Sequence, residues 1–234
     1  GILEPVKLVS TQKTYINDIA INAIPDSRGA RVNCSIALAN ETKTEAEVDV
    51  NIDISLQSKV AGKIIKVVCK PNEITKVNVD FTLGHAELWS PATPVLYTSN
   101  VILSRNGDTI DKLTERFGIR QISIKGTSIL LNGEPIIIKG THRYDAYDRL
   151  GPNPPEEILR KELALMKSVG INLIRVHYPA TPSLLDLYDE YGFMMMEEIP
   201  LNWWGQKWFK GLQPIGGEAV QSLDILPQAK SALT

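Results

Sequence analysis

Three polar and aromatic clusters sit at the ends of short apolar runs: His142, Arg143, Tyr144 and Asp145; then Arg175, His177 and Tyr178; then Glu197 and Glu198. Imidazole, guanidinium, phenol and carboxylate groups brought together could bind hydroxyls or an anion. Two carboxyls flanking one bond could do acid/base or nucleophilic work. Spacing narrows these options. Arg175 and His177 are two apart and share a face of an extended strand, whereas the neighbours Glu197 and Glu198 point to opposite faces. The two glutamates therefore do not flank one bond. One is expected to face inward and pair with a cation such as Arg175, the other to pack outside.

The elements that position these clusters run from Ile136 to Pro200. Apolar runs IIIKG, INLIRV and FMMM alternate with two segments of helical period, which predicts strand, helix, strand, helix, strand with the strands parallel. In parallel sheets and barrels, chemistry sits at the carboxyl ends of the strands, where all three clusters fall. The continuous runs IIIKG and FMMM predict strands buried on both faces. In the first helix Asn153 is the expected cap, Pro154 and Pro155 fill the first two positions, and Glu156 suits a capping box. Its stripe is Ile158, Leu159, Leu163, Met166 and Val169, and Gly170 stops it. The second helix starts at Thr181-Pro182, turns Leu184, Leu185, Tyr188 and Tyr191 inward, and stops at Gly192.

Upstream, Tyr15 to about Glu115 alternates apolar and polar residues in about seven runs, punctuated at Pro25-Asp26, Asn40-Glu41, Pro71-Asn72 and Asn106-Gly107. That pattern predicts an immunoglobulin-like sandwich. Trp89, in LWSPATPVLY, is expected to anchor its loop by packing. The pattern changes near Arg116, where the domain boundary belongs, and a hairpin turning at Asn132-Gly133 follows. Ile2 to Val9 reads as a short strand. Cys34 and Cys69 lie among alternating apolar residues and read as two buried thiols; a disulfide between them is the alternative.

The 234 residues carry a net charge of −2 with the signs interspersed, which offers nucleic acid no basic surface. No apolar run is long enough to span a membrane as a helix. His85, His142 and His177 are scattered, without metal-ligand spacing, and no glycine-rich phosphate loop occurs, so neither metal nor cofactor is expected. The compartment and self-association stay open.

Fewer than 100 residues follow Ile136, whereas a closed eight-stranded α/β barrel takes about 250. Three parallel strands cannot close. The region is either a small open sheet or the opening of a barrel completed elsewhere, and the second is expected, with Thr234 a cut edge. At this point ELWSPATPVLY, ERFGIRQISIKGTSILLNGEPIIIKGTHR and INLIRVHYPATPSLLDLYDEYGFMMMEEIP, taken in order, resemble family 2 glycoside hydrolases, the group of β-galactosidases and β-glucuronidases. GILEPVKLVS is similar to the last strand of the jelly roll that precedes the family's sandwich.

The resemblance implies a mixed fold: residues 1–10 as the last jelly-roll strand, 11–116 as an immunoglobulin-like sandwich, and 117–234 as the first strands and helices of a TIM barrel. It implies cleavage of terminal β-linked sugars with retention, β-galactosidase-like, through an acid/base and a nucleophilic glutamate that both lie outside this chain. No catalytic residue is then assigned here, and the partners are a carbohydrate and the rest of the barrel. Substrate contacts are expected from Tyr144, Asp145, Arg175, His177 and Trp204, with two of Trp203, Trp204 and Trp208 buried. His142 is expected to be structural. Two departures bear on specificity: Tyr144 stands where the family commonly has a histidine, and only Val176 separates Arg175 from His177. The alternative is a non-catalytic carbohydrate-binding or protein-interaction module.

Overall fold

The computed structural model describes residues 6–144, 147–148, 150–151, 154–177 and 179–198. Seven strands build the sandwich: β1 (Thr14–Asp26), β2 (Gly29–Asn40), β3 (Ala46–Leu56), β4 (Ser58–Cys69), β5 (Glu73–Leu83), β6 (Tyr97–Arg105) and β7 (Asp108–Phe117). They form two sheets, β1-β2-β5 and β4-β3-β6-β7, antiparallel throughout. Strict alternation is the cause. Val48, Val50, Ile52 and Ile54 of β3 face Val32, Cys34, Ile36 and Leu38 of β2 in one apolar core. Asn106-Gly107 turns β6 into β7 with both residues at positive φ, as a tight two-residue hairpin needs. Pro25 and Asp26 lie inside β1, and the turn falls at 27–28 instead, because β1 and β2 stay in register as far as Asp26 opposite Gly29. Cys34 and Cys69 are buried free thiols. Residues 6–10 are exposed and outside any strand, and residues 2–5 of the strand expected over Ile2–Val9 lie outside the described residues.

A small antiparallel sheet of β8 (Ile122–Lys125), β9 (Ser128–Leu131) and β10 (Glu134–Pro135) follows. The chain then enters β11 (Gly140–Arg143), α1 (Glu156–Ser168), β12 (Leu173–Val176), α2 (Pro182–Tyr191) and β13 (Met194–Glu197). β11, β12 and β13 pair in parallel in that order. The fold is thus an immunoglobulin-like sandwich followed by the opening strands and helices of a TIM barrel.

The helices differ in how well the sequence announces them. α2 starts where Thr181 Oγ1 accepts from the Leu184 N–H at 3.2 Å, with Pro182 at the first position. It ends at Gly192, whose φ is 74° and whose hypothetical Cβ would stand 2.7 Å from the Pro91 carbonyl oxygen, so only glycine fits there. α1 begins later than expected. Pro155 is its cap, in an extended conformation and with no side-chain cap bond, and Glu156 is the first helical residue. Pro155 disfavours helical geometry at Pro154, so the helix starts after both prolines rather than with them. Leu159 and Leu163 of α1 and Leu184, Leu187 and Tyr188 of α2 pack on Ile174 and Val176 of β12. Val169 is 69% exposed and Leu185 is also exposed, so neither is core; Leu187, absent from the expected stripe, takes the inward place.

Ile136–Lys139 is not strand, Ile137 is 78% exposed, and Met196 of β13 is exposed as well. The expected burial on both faces is met only on the side of α1 and α2. On the other side no layer covers the three strands among the described residues.

Trp89 joins the two halves. It is 1% exposed, and its Nε1 donates to the Asp189 carbonyl of α2 at 2.9 Å. Its backbone N–H donates to the Ile119 carbonyl at 2.9 Å, and its own carbonyl accepts from Asn132 Nδ2 at 3.0 Å. Gly118 makes room for it, since a Cβ there would come within 2.7 Å of Trp89 Cβ. Beside it, Lys167 Nζ donates to the carbonyls of Pro91 and Gly192. An open cleft of about 440 Å³, lined by Ile19, Ile21, Glu115, Arg120 and Asp189, lies at this junction. It is at the amino-terminal side of the parallel strands, because α2 ends just before β13 begins. Trp89→Phe, which strands the Asp189 carbonyl, should cost ~1–2 kcal/mol. Trp89→Ala should cost ~3–5 kcal/mol and split urea unfolding into separate sandwich and α/β transitions. A single transition at the wild-type midpoint in the alanine variant would rule out this joint.

Candidate functional site

Pairing in β11, β12 and β13 fixes which side chains share a face. His142 is opposite Arg175, which is opposite Met196, and Arg143 is opposite Val176, which is opposite Glu197. Side chains alternate along each strand. His142, Tyr144, Arg175, His177 and Glu198 therefore stand on the bare face, at and just beyond the carboxyl ends. Arg143 and Glu197 stand on the helix face.

On the bare face these five side chains form one cluster. Arg175 Nη2 is ion-paired with Glu198 Oε1, and Arg175 Nη1 lies 3.2 Å from His142 Nδ1. His177 Nδ1 is 2.6 Å from Glu198 Oε2. The Tyr144 ring stacks on His177 with centroids 5.7 Å apart and planes at 21°, while His142 meets both rings edge-on. Tyr144 is exposed, and Arg175, His177 and Glu198 are half-buried. An aromatic wall beside a row of hydrogen-bonding groups suits a polyhydroxylated ligand with one apolar face. Asp145, Tyr178 and the three tryptophans, Trp204 among them, lie outside the described residues.

Arg143 does not join this cluster. It lies within β11, on the helix side, and is 4% exposed. Its Nη2 donates to Tyr147 Oη at 2.6 Å and pairs with Glu162 Oε2 of α1 at 3.4 Å; Tyr147 Oη in turn donates to Glu162. The guanidinium also lies 5.7 Å from the Tyr147 ring. A buried guanidinium needs such partners, since an unpaired one costs several kcal/mol. The parity that separates Arg143 from its neighbours was readable in the sequence; Glu162 as its partner was not, because that pairing spans two elements. The sharing of Glu198 between Arg175 and His177 was likewise not foreseen, although one inward glutamate beside Arg175 was.

Burial, and then the hydrogen bond to Glu162, push the Tyr147 hydroxyl up from 10 to about 12. Its folded value exceeds its unfolded one, so this contribution to stability is complete below pH 10 and is lost as the pH rises through about 12. Urea midpoints should fall over that window, and Tyr147→Phe should remove that part of the fall. Identical pH dependence in the two proteins would refute the coupling.

Among the described residues no three His, Cys, Asp or Glu side chains gather to hold a metal ion, and no helix is long and apolar enough to cross a membrane. Glu197 and Glu198 lie on opposite faces, so among the described residues the cluster holds one carboxylate, that of Glu198.

Comparison with known proteins puts this arrangement in context. Residues 14–120 match the profile of glycosyl hydrolases family 2, and residues 122–219 match the profile of the TIM barrel domain of the same family. The chain is 33% identical over 197 residues to a β-galactosidase of Kluyveromyces lactis, covering 82% of this chain and 18% of that protein. It is 30% identical over 203 residues to a β-glucuronidase of Paenibacillus borealis, covering 86% and 32%. Among solved structures it resembles a family 2 β-galacturonidase from Eisenbergiella tayi bound to galacturonate. The TM-score is 0.74 and the identity 28%, with 80% of this chain and 33% of that one covered. The chain thus spans about a third or less of the length of these relatives.

Proposed function

The chain belongs to glycosyl hydrolase family 2, and from that premise we propose that it forms one wall of the sugar pocket of a retaining glycoside hydrolase acting on terminal β-linked sugars. Tyr144, Arg175 and His177 supply this wall, with Asp145 and Trp204 proposed as further contacts. The acid/base and nucleophilic glutamates are supplied from outside these 234 residues. Retaining cleavage takes two carboxyls about 5–5.5 Å apart around one bond. Glu197 and Glu198 diverge to opposite faces, and Glu198 is engaged by two cation-forming side chains.

The preferred glycone is neutral and galactoside-like rather than a uronate. The observation that carries this preference is the Arg175–Glu198 ion pair. A uronate carboxylate needs an uncommitted cation or donor set, and Arg175 spends one nitrogen on Glu198 and another on His142. Hydroxyls, by contrast, are matched by the imidazole and phenol groups on the same face.

Assays with aryl β-galactoside, β-glucuronide and β-galacturonide test both parts. The 234-residue chain alone should give no turnover. Combined with a polypeptide that supplies the remaining barrel strands, it should favour the galactoside roughly tenfold or more in kcat/KM. Robust hydrolysis by the isolated chain would overturn the assignment of outside carboxylates, and a uronide preference would overturn the neutral glycone.

A further inference from the structure

His142 and His177 stand on the same face, yet their neighbours demand opposite roles. A guanidinium only donates, and Arg175 Nη1 lies 3.2 Å from His142 Nδ1 and 3.3 Å from its Nε2, so His142 meets it as an acceptor through whichever nitrogen is bare. A carboxylate only accepts, so the His177 Nδ1 that meets Glu198 at 2.6 Å must carry a proton. In the neutral ring that leaves Nε2 of His177 as an acceptor. Among the described residues Glu198 grips the ring's Nδ1 edge and Tyr144 covers its face with planes at 21°. Glu198 is itself oriented by its second oxygen, which Arg175 engages.

We propose that Glu198 is a positioning residue of the sugar pocket: it keeps the proton of His177 on Nδ1 and so presents Nε2 as acceptor to a hydroxyl of the glycone. The proposal rests on the pocket reading above. It assigns Glu198 no contact with the scissile bond. The carboxylate acts through the imidazole, as outer carboxylates do where they fix the tautomer and raise the basicity of a histidine. Arg175 belongs to the same device, because it stops the carboxylate from rotating away.

Glu198→Gln tests this with little change of shape. Its amide oxygen must meet the donors of Arg175, which turns the NH2 toward His177 and reverses the hydrogen bond. In side-chain nitrogen-15 spectra of the 234-residue chain, wild-type His177 should be protonated on Nδ1 when neutral. Glu198→Gln should move that proton to Nε2, with His142 unchanged, and Arg175→Met should leave it on Nδ1. Methyl β-galactoside should shift the His177 Nε2 resonance in the wild type and do so at least about tenfold more weakly in Glu198→Gln. Glu198→Ala, which removes the acceptor at Nδ1, should also lose the Nδ1 preference and guards against a folding failure of the glutamine variant. A wild-type His177 protonated on Nε2, or a tautomer unmoved by Glu198→Gln or by Glu198→Ala, would overturn the proposal. The expected tautomers with no response to the galactoside would instead overturn the pocket reading and leave the tautomer control standing.

Discussion

The indole of Trp89 is the constraint on which the two halves depend. A sandwich of period two and an α/β layer of helical period have little reason to keep a fixed relation unless something buried belongs to both. Trp89 leaves the sandwich in a loop, yet its Nε1–H is satisfied by a carbonyl of α2 one hundred residues away. Burial of a large ring together with a satisfied polar edge makes the joint both cohesive and directional. It also reaches the site. Asp189 lies three residues before Gly192, and Gly192 sets the entry of β13 against Pro91. The position of β13, and so of Glu198 at its end, follows from how α2 is seated on Trp89.

Parity then converts position into chemistry. In the parallel sheet a shift of one residue would send Arg175 and His177 to the helices and Arg143 to the bare face. The observed pairing of His142 with Arg175 and of Arg175 with Met196 prevents that. It is held by packing rather than by the polar groups. Ile174 and Val176 are buried beneath α1 and α2, and exposing them would cost on the order of 1.5–3 kcal/mol each. The apolar face thus decides where the polar one points.

Much of this was legible in the residues, and the exceptions have physical reasons. Period-two alternation marked six of the sandwich strands and the Asn106-Gly107 turn announced the seventh, a second Asn-Gly pair marked the turn after β9, and Thr181-Pro182 with Gly192 marked both ends of α2, because those signals are local. The start of α1 was misread by a residue or two: a second proline restrains the first, and a single-residue propensity for the first turn misses that. The long IIIK run was read as strand, whereas pairing begins at Gly140, since pairing depends on the length of the partner β12. Of the site, the shared face of Arg175 and His177 and the inward glutamate were readable from alternation alone. The Trp89–Asp189 bond, the Arg143–Tyr147–Glu162 group and the double use of Glu198 were not, because each joins elements whose approach no local pattern states.

The charges on the two faces of the small sheet follow one rule. Each arginine has a glutamate on its own side: Arg143 with Glu162 beneath the helices, Arg175 with Glu198 above. Neither glutamate is on the same strand as its arginine, so each ion pair also ties two elements together. Below, where Arg143 is nearly sealed from solvent, Tyr147 completes the pairing, as a desolvated cation requires. Above, where the groups are only half-buried, His177 takes the remaining carboxylate oxygen. Among the described residues, that face pairs Arg175 with Glu198 and sets the imidazole and phenol groups beside them. Under the proposed function, a ligand that brought an anion would compete with Glu198 for Arg175, whereas one that brought hydroxyls would not. The proposed preference for a neutral sugar rests on this pairing of Arg175 with Glu198.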